Sequence, residues 1–159
     1  MRALIVALLA LAIIPACGPQ SMRSAVGTLE VKAAVDSLWS AYAHASDRKD
    51  AAAFGALFTE DAVLAYSGVP TTRGRQAIQE RLVSMYADLD PTGLRVEADE
   101  TRVSGTIAVQ TGTFEENFND KSAAKTRYGR FVLIAEPERE RTWKIRRLFV
   151  VVDSTAASL

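Results

Sequence analysis

The sequence contains one cysteine, Cys17, and one histidine, His44. A single cysteine excludes an intramolecular disulfide, and this pair of residues is too small a set of ligands for the usual zinc, copper or iron sites. Lysine plus arginine equals aspartate plus glutamate at 19 each, so no positive surplus is available to neutralise nucleic-acid phosphates. The chain also lacks a phosphate-binding glycine loop and a dinucleotide fingerprint. These absences predict no metal, no cofactor and no nucleic-acid partner.

The one long apolar run lies at the start of the chain. Met1-Arg2 precedes uncharged, almost wholly apolar residues over 3–14, a length that is typical of a signal peptide and too short for a helix to cross a bilayer core of about 30 Å. The run ends in Ile14-Pro15-Ala16-Cys17-Gly18, which resembles a bacterial lipobox. We expect a lipoprotein signal peptide over 1–16 and lipidation of Cys17. An ordinary signal peptide cleaved after Ala16 is the alternative.

Lipidation would determine where the protein resides. Two or three acyl chains on Cys17 would anchor it stably to a membrane, whereas one chain binds only marginally. Residues 17–27, rich in glycine, serine, proline and glutamine, then predict a flexible tether. Gly18, rather than an aspartate, follows the cysteine. This favours the periplasmic face of the outer membrane in a Gram-negative bacterium.

Helical spacing dominates the first half of the mature chain. Apolar residues recur at this spacing between Leu29 and Ser46, with Thr28 as the expected N-cap. Asp50 is expected to cap a second, shorter helix, and a third is predicted over Arg75–Ala87. A short strand is predicted at Ala62–Tyr66, before the turn residues that follow it.

After Pro91 the apolar period changes from 3.6 to 2, which is typical of strands with one buried face. Four such alternations predict four antiparallel strands. Helices followed by strands indicate an α+β domain rather than a parallel βαβ sheet. We assign this single domain to residues 28–153 and a tail to 154–159.

Several segments resemble the SnoaL-like, ketosteroid-isomerase-like family of the nuclear transport factor 2 superfamily. They are Leu38-Trp39-Ser40-Ala41-Tyr42, Asp47-Arg48-Lys49-Asp50, Leu57-Phe58-Thr59-Glu60-Asp61-Ala62, Arg73-Gly74-Arg75-Gln76-Ala77-Ile78, Tyr128-Gly129-Arg130-Phe131 and Trp143-Lys144-Ile145. The resemblance covers about Val31 to Val152. It implies a cone-shaped, curved antiparallel sheet wrapped round the N-terminal helices, with an apolar pocket inside. It also implies a homodimer that pairs through the outer sheet face.

The resemblance assigns candidate roles to three polar residues. Tyr42 matches the tyrosine that donates to the developing oxyanion in ketosteroid isomerases, or it simply fills the core. The isomerase base position carries Tyr66, a phenol with an ordinary pKa near 10, which cannot replace a carboxylate as proton acceptor at neutral pH. Asp47 and Tyr66 match an aspartate and a tyrosine of scytalone dehydratase, although the two histidines of that enzyme are absent. Asp47 is otherwise a turn former.

Other candidates come from position on the predicted elements. Trp39 is expected inside the cone beside Tyr42. Arg147 and Phe149 share the strand phase of Trp143 and Ile145, which we assign to the concave face. On that face Arg147 needs a carboxylate or an anionic ligand; with the phase reversed it is solvated. His44 lies about 200° round the helix from Tyr42 and is expected at the surface.

These observations predict a lipid-anchored, extracytoplasmic protein that binds a small, largely apolar molecule. Ligand contacts are expected from Trp39, Tyr42, Tyr66, Arg147 and Phe149. One alternative is an isomerase or dehydratase acting on a cyclic or polyketide-like substrate, with Tyr42, Asp47 and Tyr66 as its catalytic residues. Another is a non-catalytic scaffold whose pocket is filled by its own side chains.

Overall fold

A computed structural model describes residues 19–121, 123–138 and 142–157, with side chains from residue 27 onward. The helices are α1 (Pro19–Asp47), α2 (Ala51–Gly55) and α3 (Arg75–Tyr86). The strands are β1 (Phe58–Tyr66), β2 (Thr72–Arg73), β3 (Leu89–Ser104), β4 (Ile107–Asp120), β5 (Ala124–Pro137) and β6 (Trp143–Ala157). The predicted α+β class, the three helices before Pro91 and the four long strands are confirmed.

The six strands form one open, curved sheet in the order β2-β1-β6-β5-β4-β3. Strand β1 joins it parallel to β6, and the other neighbours are antiparallel. Helix α1 packs against the inner face, where Val35 and Leu38 share one core with Leu133 and Ile145. The apolar residues at helical spacing on α1 and the alternate apolar residues of the strands therefore pack together in one interior.

Two glycines allow the sheet to bend. A Cβ atom at Gly112 would lie 2.1 Å from the carbonyl oxygen of Glu97, and one at Gly129 would lie 2.1 Å from that of Val151. The strand register shifts beside Gly129, which marks a β-bulge. Because a side chain has no room at either position, glycine permits the close approach that gives the sheet its curvature.

The end of α1 fixes the path into α2. Lys49 adopts a left-handed conformation with φ of 54°, and the amide of Asp50 donates to the carbonyl of Ala45 over 2.8 Å, as in a Schellman motif. The Asp50 carboxylate then accepts from the amide of Ala53 over 2.9 Å. The predicted capping role of Asp50 is confirmed.

Three boundary predictions are corrected. Helix α1 already includes Pro19, so Thr28 lies inside it and is not an N-cap. The predicted tether is helical from Pro19 onward. Strand β6 continues to Ala157, which pairs with Lys125, so most of the predicted tail is strand. The predicted signal peptide and Cys17 lie outside the described residues.

Candidate functional site

Inside the cone a small chamber lies between α1 and the inner face of the sheet. Its volume is about 20 Å³, which has room for about one water molecule. Aromatic side chains pack at its wall: the Trp39 ring meets Phe131 edge-on at 4.6 Å between centroids and lies 5.4 Å from Tyr42. The chamber is lined by Trp39, Tyr42, Tyr66, Leu94, Phe114, Glu116, Phe131 and Val150.

A carboxylate and a guanidinium face each other in this interior. Glu116 of β4 and Arg127 of β5 are cross-strand partners, and Arg127 Nε donates to Glu116 Oε2 over 2.7 Å. Their side chains are only 13% and 15% exposed, respectively. The guanidinium also lies 5.3 Å from the ring centre of Tyr66 and 4.6 Å from that of Phe118. Two aromatic faces thus share in stabilising a mostly desolvated cation.

Three tyrosines surround the ion pair. Burial raises the pKa of Tyr66 to about 12, although the nearby Arg127 lowers it in part. Burial, followed by the charge of Glu116, raises the pKa of Tyr42 well above its ordinary value. Burial also raises the pKa of Tyr86, while a hydrogen bond with the side chain of Ser46 partly lowers it. All three phenols therefore stay protonated at neutral pH and act as hydrogen-bond donors rather than as bases.

One of these phenols, the hydroxyl group of Tyr66, is buried without a hydrogen-bond partner among the described residues. Buried polar groups in native proteins are nearly always paired, so such exceptions call for a partner such as a water molecule or a ligand. Tyr66, whose hydroxyl is one of these exceptions, is also one of the residues that line the chamber.

A second polar network holds Trp39 in place. Gln110 of β4 is fully buried, and its Oε1 accepts from Trp39 Nε1 over 2.7 Å. Its Nε2 donates to Asp36 Oδ1 at 2.8 Å and to Thr101 Oγ1 at 2.9 Å. Because an indole N–H can only donate and a carboxylate can only accept, the orientation of the amide is fixed. Gln110 therefore joins α1 to β4 and sets the position of the Trp39 ring.

The structure brings Trp39, Tyr42 and Tyr66 together at the chamber, as the sequence predicted for their positions. Their roles in binding or catalysis stay predictions. Asp47 lies exposed at the end of α1 and does not line the chamber. Its charge still contributes to raising the pKa of Tyr86, although more weakly than burial does. His44 is exposed, as predicted.

The predicted concave placement of Arg147 and Phe149 is wrong. Ala135 pairs with Ile145, but the neighbouring Ile134 pairs with Arg147, so β6 holds one extra residue at this point. Such a bulge reverses the alternation, and residues beyond it change face. Phe149 is consequently 41% exposed on the outer face. Arg147 Nη1 donates to the carbonyl oxygens of Asp61, at 3.3 Å, and Arg146, at 2.9 Å.

Sequence reasoning missed Glu116 and Arg127. Glu116 continues the inward alternation of Gln110 and Phe114 along β4, a signal that was present in the sequence. It was obscured because Glu116 stands within the polar run Glu115-Glu116-Asn117. Glu116, and not the exposed Asp47, is therefore the carboxylate that lines the chamber.

Within the part of the chain that the structure describes, no group of three or more histidine, cysteine, aspartate or glutamate side chains is arranged to hold a metal ion. No helix in that part is both long and apolar enough to cross a membrane.

Solved structures of other proteins share this fold. A ketosteroid isomerase-like protein from Erwinia carotovora atroseptica is 20% identical, with a TM-score of 0.68 over 77% of this chain and 95% of the other. A nuclear transport factor 2-like protein with a cystatin-like fold from Novosphingobium aromaticivorans is 18% identical, with a TM-score of 0.69 over 87% and 92% of the two chains. A type 2 hexachlorocyclohexane dehydrochlorinase is 17% identical, with a TM-score of 0.64 over 82% and 90%.

No curated protein matches the sequence significantly. The model of the SnoaL-like domain matches residues 27–148, which is most of the chain. That span includes most of α1, the chamber residues other than Val150, and the Glu116–Arg127 pair. The cone fold predicted from the sequence is the one observed. The chain therefore belongs to the family of SnoaL-like domains.

Proposed function

We propose that the protein binds a small, largely apolar molecule bearing one hydroxyl or carbonyl oxygen. The observation that carries this proposal is the buried, unpartnered hydroxyl of Tyr66 at the wall of an aromatic chamber. An unsatisfied buried hydroxyl costs about 1–3 kcal/mol, and a ligand oxygen that accepts its hydrogen bond would recover that free energy. Leu94, Phe114 and Phe131 would contact the apolar part of the ligand.

The chamber must expand for such a molecule to bind. A volume of about 20 Å³ is far below the roughly 300–1,000 Å³ of typical small-molecule sites. The same small volume favours a second candidate function, a scaffold domain whose interior is filled by its own side chains. A purely structural core would, however, gain nothing from leaving the Tyr66 hydroxyl unpaired.

Titration with α-tetralone, a bicyclic ketone with a single oxygen, separates these two functions. We expect saturable binding by calorimetry, and about tenfold weaker binding by Tyr66→Phe, because one hydrogen bond of about 1.4 kcal/mol is lost. Tyr128→Phe is the matched control, since Tyr128 is exposed on the outer face. Absence of binding to the wild-type protein, with no small molecule retained in native mass spectrometry, supports the scaffold instead.

Catalysis of the isomerase or dehydratase type is a further candidate, and the presence of Glu116 at the chamber favours it. A carboxylate there could accept a proton while Tyr66 or Tyr42 donates to a developing oxyanion. Asp47, predicted as a catalytic residue, does not line the chamber. If turnover of a cyclic or polyketide-like ketone is found, Glu116→Gln should abolish it and Asp47→Asn should leave it nearly unchanged.

The outer sheet face is proposed to pair two copies of the chain. Tyr128, Val132, Phe149 and Val151 are each between 37% and 46% exposed. Val132 and Phe149 are cross-strand partners, as are Arg130 and Val151, so the apolar residues lie on adjacent strands. Adjacent exposed apolar side chains on one face are typical of association surfaces. We propose a homodimer through this surface.

Export and lipid anchoring through Cys17 are proposed from the lipobox-like sequence Ile14-Pro15-Ala16-Cys17-Gly18. In this proposal the chamber faces an extracytoplasmic compartment and the acyl chains hold the protein at a membrane. The ligand would then be met outside the cytoplasm.

A further inference from the structure

Two spaces lie on either side of one wall. The chamber of about 20 Å³ is inside the cone, and a groove of about 500 Å³ runs between α1 and β3. Trp39 and Leu94 line both. These two side chains therefore lie at the boundary between the groove and the chamber.

The groove lies at an open edge of the sheet. Strand β3 is the last strand in the sheet order, so one of its edges has no neighbouring strand among the described residues. Its residues Leu94 and Val96 are only partly buried, and they are the cross-strand partners of Glu116 and Phe114 in the chamber. The apolar side of β3 therefore continues directly from the groove into the chamber.

A hydrogen bond fixes the Trp39 side chain at the boundary between the groove and the chamber. Trp39 Nε1 donates to Gln110 Oε1 over 2.7 Å, and Gln110 is itself fixed by its donation to Asp36 and Thr101. Trp39 is only partly buried, whereas Gln110 is wholly buried. The Trp39 side chain is thus the movable partner, and the amide of Gln110 is the fixed one.

We propose that the groove and the chamber form one composite binding site, with Trp39 as its gate and Gln110 as the latch. The ligand is a small cyclic molecule with one hydroxyl or carbonyl oxygen. Its apolar body lies against Leu94 and Val96 in the groove, and its oxygen reaches the Tyr66 hydroxyl once the indole has moved. This inference rests on the proposed function and adds the route and the residues that control it.

The volumes support a composite site. Neither the chamber, at about 20 Å³, nor the exposed groove alone encloses a ligand, but the groove of about 500 Å³ is within the usual range for small-molecule sites. Binding that requires a rarely populated open state is weakened by the fraction of molecules that are open. A change that removes the gate should therefore strengthen binding and accelerate association.

The two tryptophans give the experiment an internal control. Trp39 and Trp143 each contribute one indole N–H signal to a nitrogen-15 NMR spectrum, and Trp143 does not line the groove or the chamber. The Trp143→Phe variant assigns the two signals. We expect α-tetralone to shift or broaden the Trp39 indole signal while the Trp143 signal stays in place.

Variants test the gate by kinetics. Trp39→Ala should increase the association rate of α-tetralone at least tenfold and tighten its binding, whereas Trp143→Phe should change both less than twofold. Gln110→Met removes the latch but retains the indole, so the Trp39 indole hydrogen should exchange with solvent at least tenfold faster without any ligand. This last measurement needs no alanine in the core, so it stands even if Trp39→Ala does not fold.

The outcomes distinguish the two proposals. Suppose that binding weakens in Tyr66→Phe, that α-tetralone does not shift the Trp39 signal, and that exchange of the Trp39 indole hydrogen is unchanged in Gln110→Met. These results overturn the gate and leave the proposed function in place. No binding of α-tetralone to wild-type protein or to folded Trp39→Ala overturns the proposed function and the composite site together.

Discussion

Arg127 Nε donates to Glu116 Oε2 over 2.7 Å across two adjacent strands, and both side chains are more than four-fifths buried. Taking two charges out of water is costly, and their attraction offsets that cost only when the geometry is good. The flanking rings of Tyr66 and Phe118 help to compensate the guanidinium. A domain that needed only stability could place apolar residues here, so this pair supports a role in recognition.

Breaking the ion pair on one side should cost more than replacing both partners. We expect Arg127→Met to lower the free energy of unfolding by about 3–5 kcal/mol, because Glu116 is left mostly buried and unpaired. The double variant Glu116→Gln/Arg127→Met should recover at least about 1 kcal/mol of that loss. Urea unfolding at neutral pH measures both values.

The matched control is Arg130→Met. Arg130 pairs with Asp153 on the outer face, and these side chains are 67% and 42% exposed. Such exposed pairs contribute about 0–1 kcal/mol, so this variant should change stability little. Equal losses in Arg127→Met and Arg130→Met would contradict the argument from burial.

The buried phenol of Tyr66 should make the fold sensitive to alkaline pH. The unfolded chain releases this proton near the ordinary pKa of 10, whereas the folded protein holds it to about 12. Because the folded state binds the proton more tightly, this contribution is complete below pH 10 and is lost as the pH rises towards 12. Two pKa units correspond to about 2–3 kcal/mol.

Tyr66→Phe should therefore lose less stability between pH 10 and 12 than the wild-type protein does. At neutral pH it should be as stable as wild type or more stable, because an unpaired buried hydroxyl has been removed. Tyr42 and Tyr86 also have raised pKa values, so part of the alkaline loss remains. Unfolding curves at several pH values test this, and an unchanged alkaline loss would count against it.

The helical part of the fold could be predicted because its signals are local. Val35 and Leu38 lie at helical spacing and both are buried on the inner side of α1. Asp50 carries the side chain that a helix N-terminus needs, and it caps α2 as expected. These features depend on residues within one turn of each other, which a sequence displays directly.

The errors arose where a distant contact decides the outcome. No local feature of the β6 sequence indicates the extra residue at Arg146, yet the bulge that it forms places Phe149 on the outer face instead of the inner face. Burial of the Glu116 carboxylate depends on its ion pair with Arg127, which lies on the neighbouring strand. Without that partner, a glutamate in a polar run is correctly expected at the surface.

Two glycine substitutions should act in opposite directions. At Gly129 an added Cβ atom would meet the Val151 carbonyl oxygen at 2.1 Å and the Phe114 ring at 2.6 Å. Gly129→Ala should lower stability by about 2 kcal/mol or more, as overpacking does. Gly27 lies in α1, and beyond that helix's own backbone no described atom lies within 4 Å of the same position, so Gly27→Ala should raise stability by about 0.5–1 kcal/mol. Thermal unfolding of both variants checks the contrast.

The proposed anchor depends on one atom, the sulfur of Cys17. Full-length protein expressed in a Gram-negative host should partition with membranes. Its intact mass should exceed that of residues 17–159 by a glyceryl group carrying two acyl chains, or by that group and a third acyl chain. Cys17→Ser cannot form the thioether, so it should stay unprocessed or be released into the soluble fraction. A mature protein whose mass shows an unmodified Cys17 would rule out lipidation.

The proposed homodimer can be tested by placing a charge on its surface. Phe149→Glu introduces a carboxylate where the side chain is 41% exposed, beside Val132 on the neighbouring strand. A buried, unpaired charge at an interface is strongly unfavourable, so we expect the dissociation constant of the dimer to rise at least 100-fold.

Val83→Glu is the matched control, because Val83 is 60% exposed on α3, away from the sheet face. Sedimentation equilibrium should show a wild-type dimer, a Val83→Glu dimer and a Phe149→Glu monomer. A monomeric wild-type protein, or a Phe149→Glu variant that still dimerises with wild-type affinity, would refute pairing through this face.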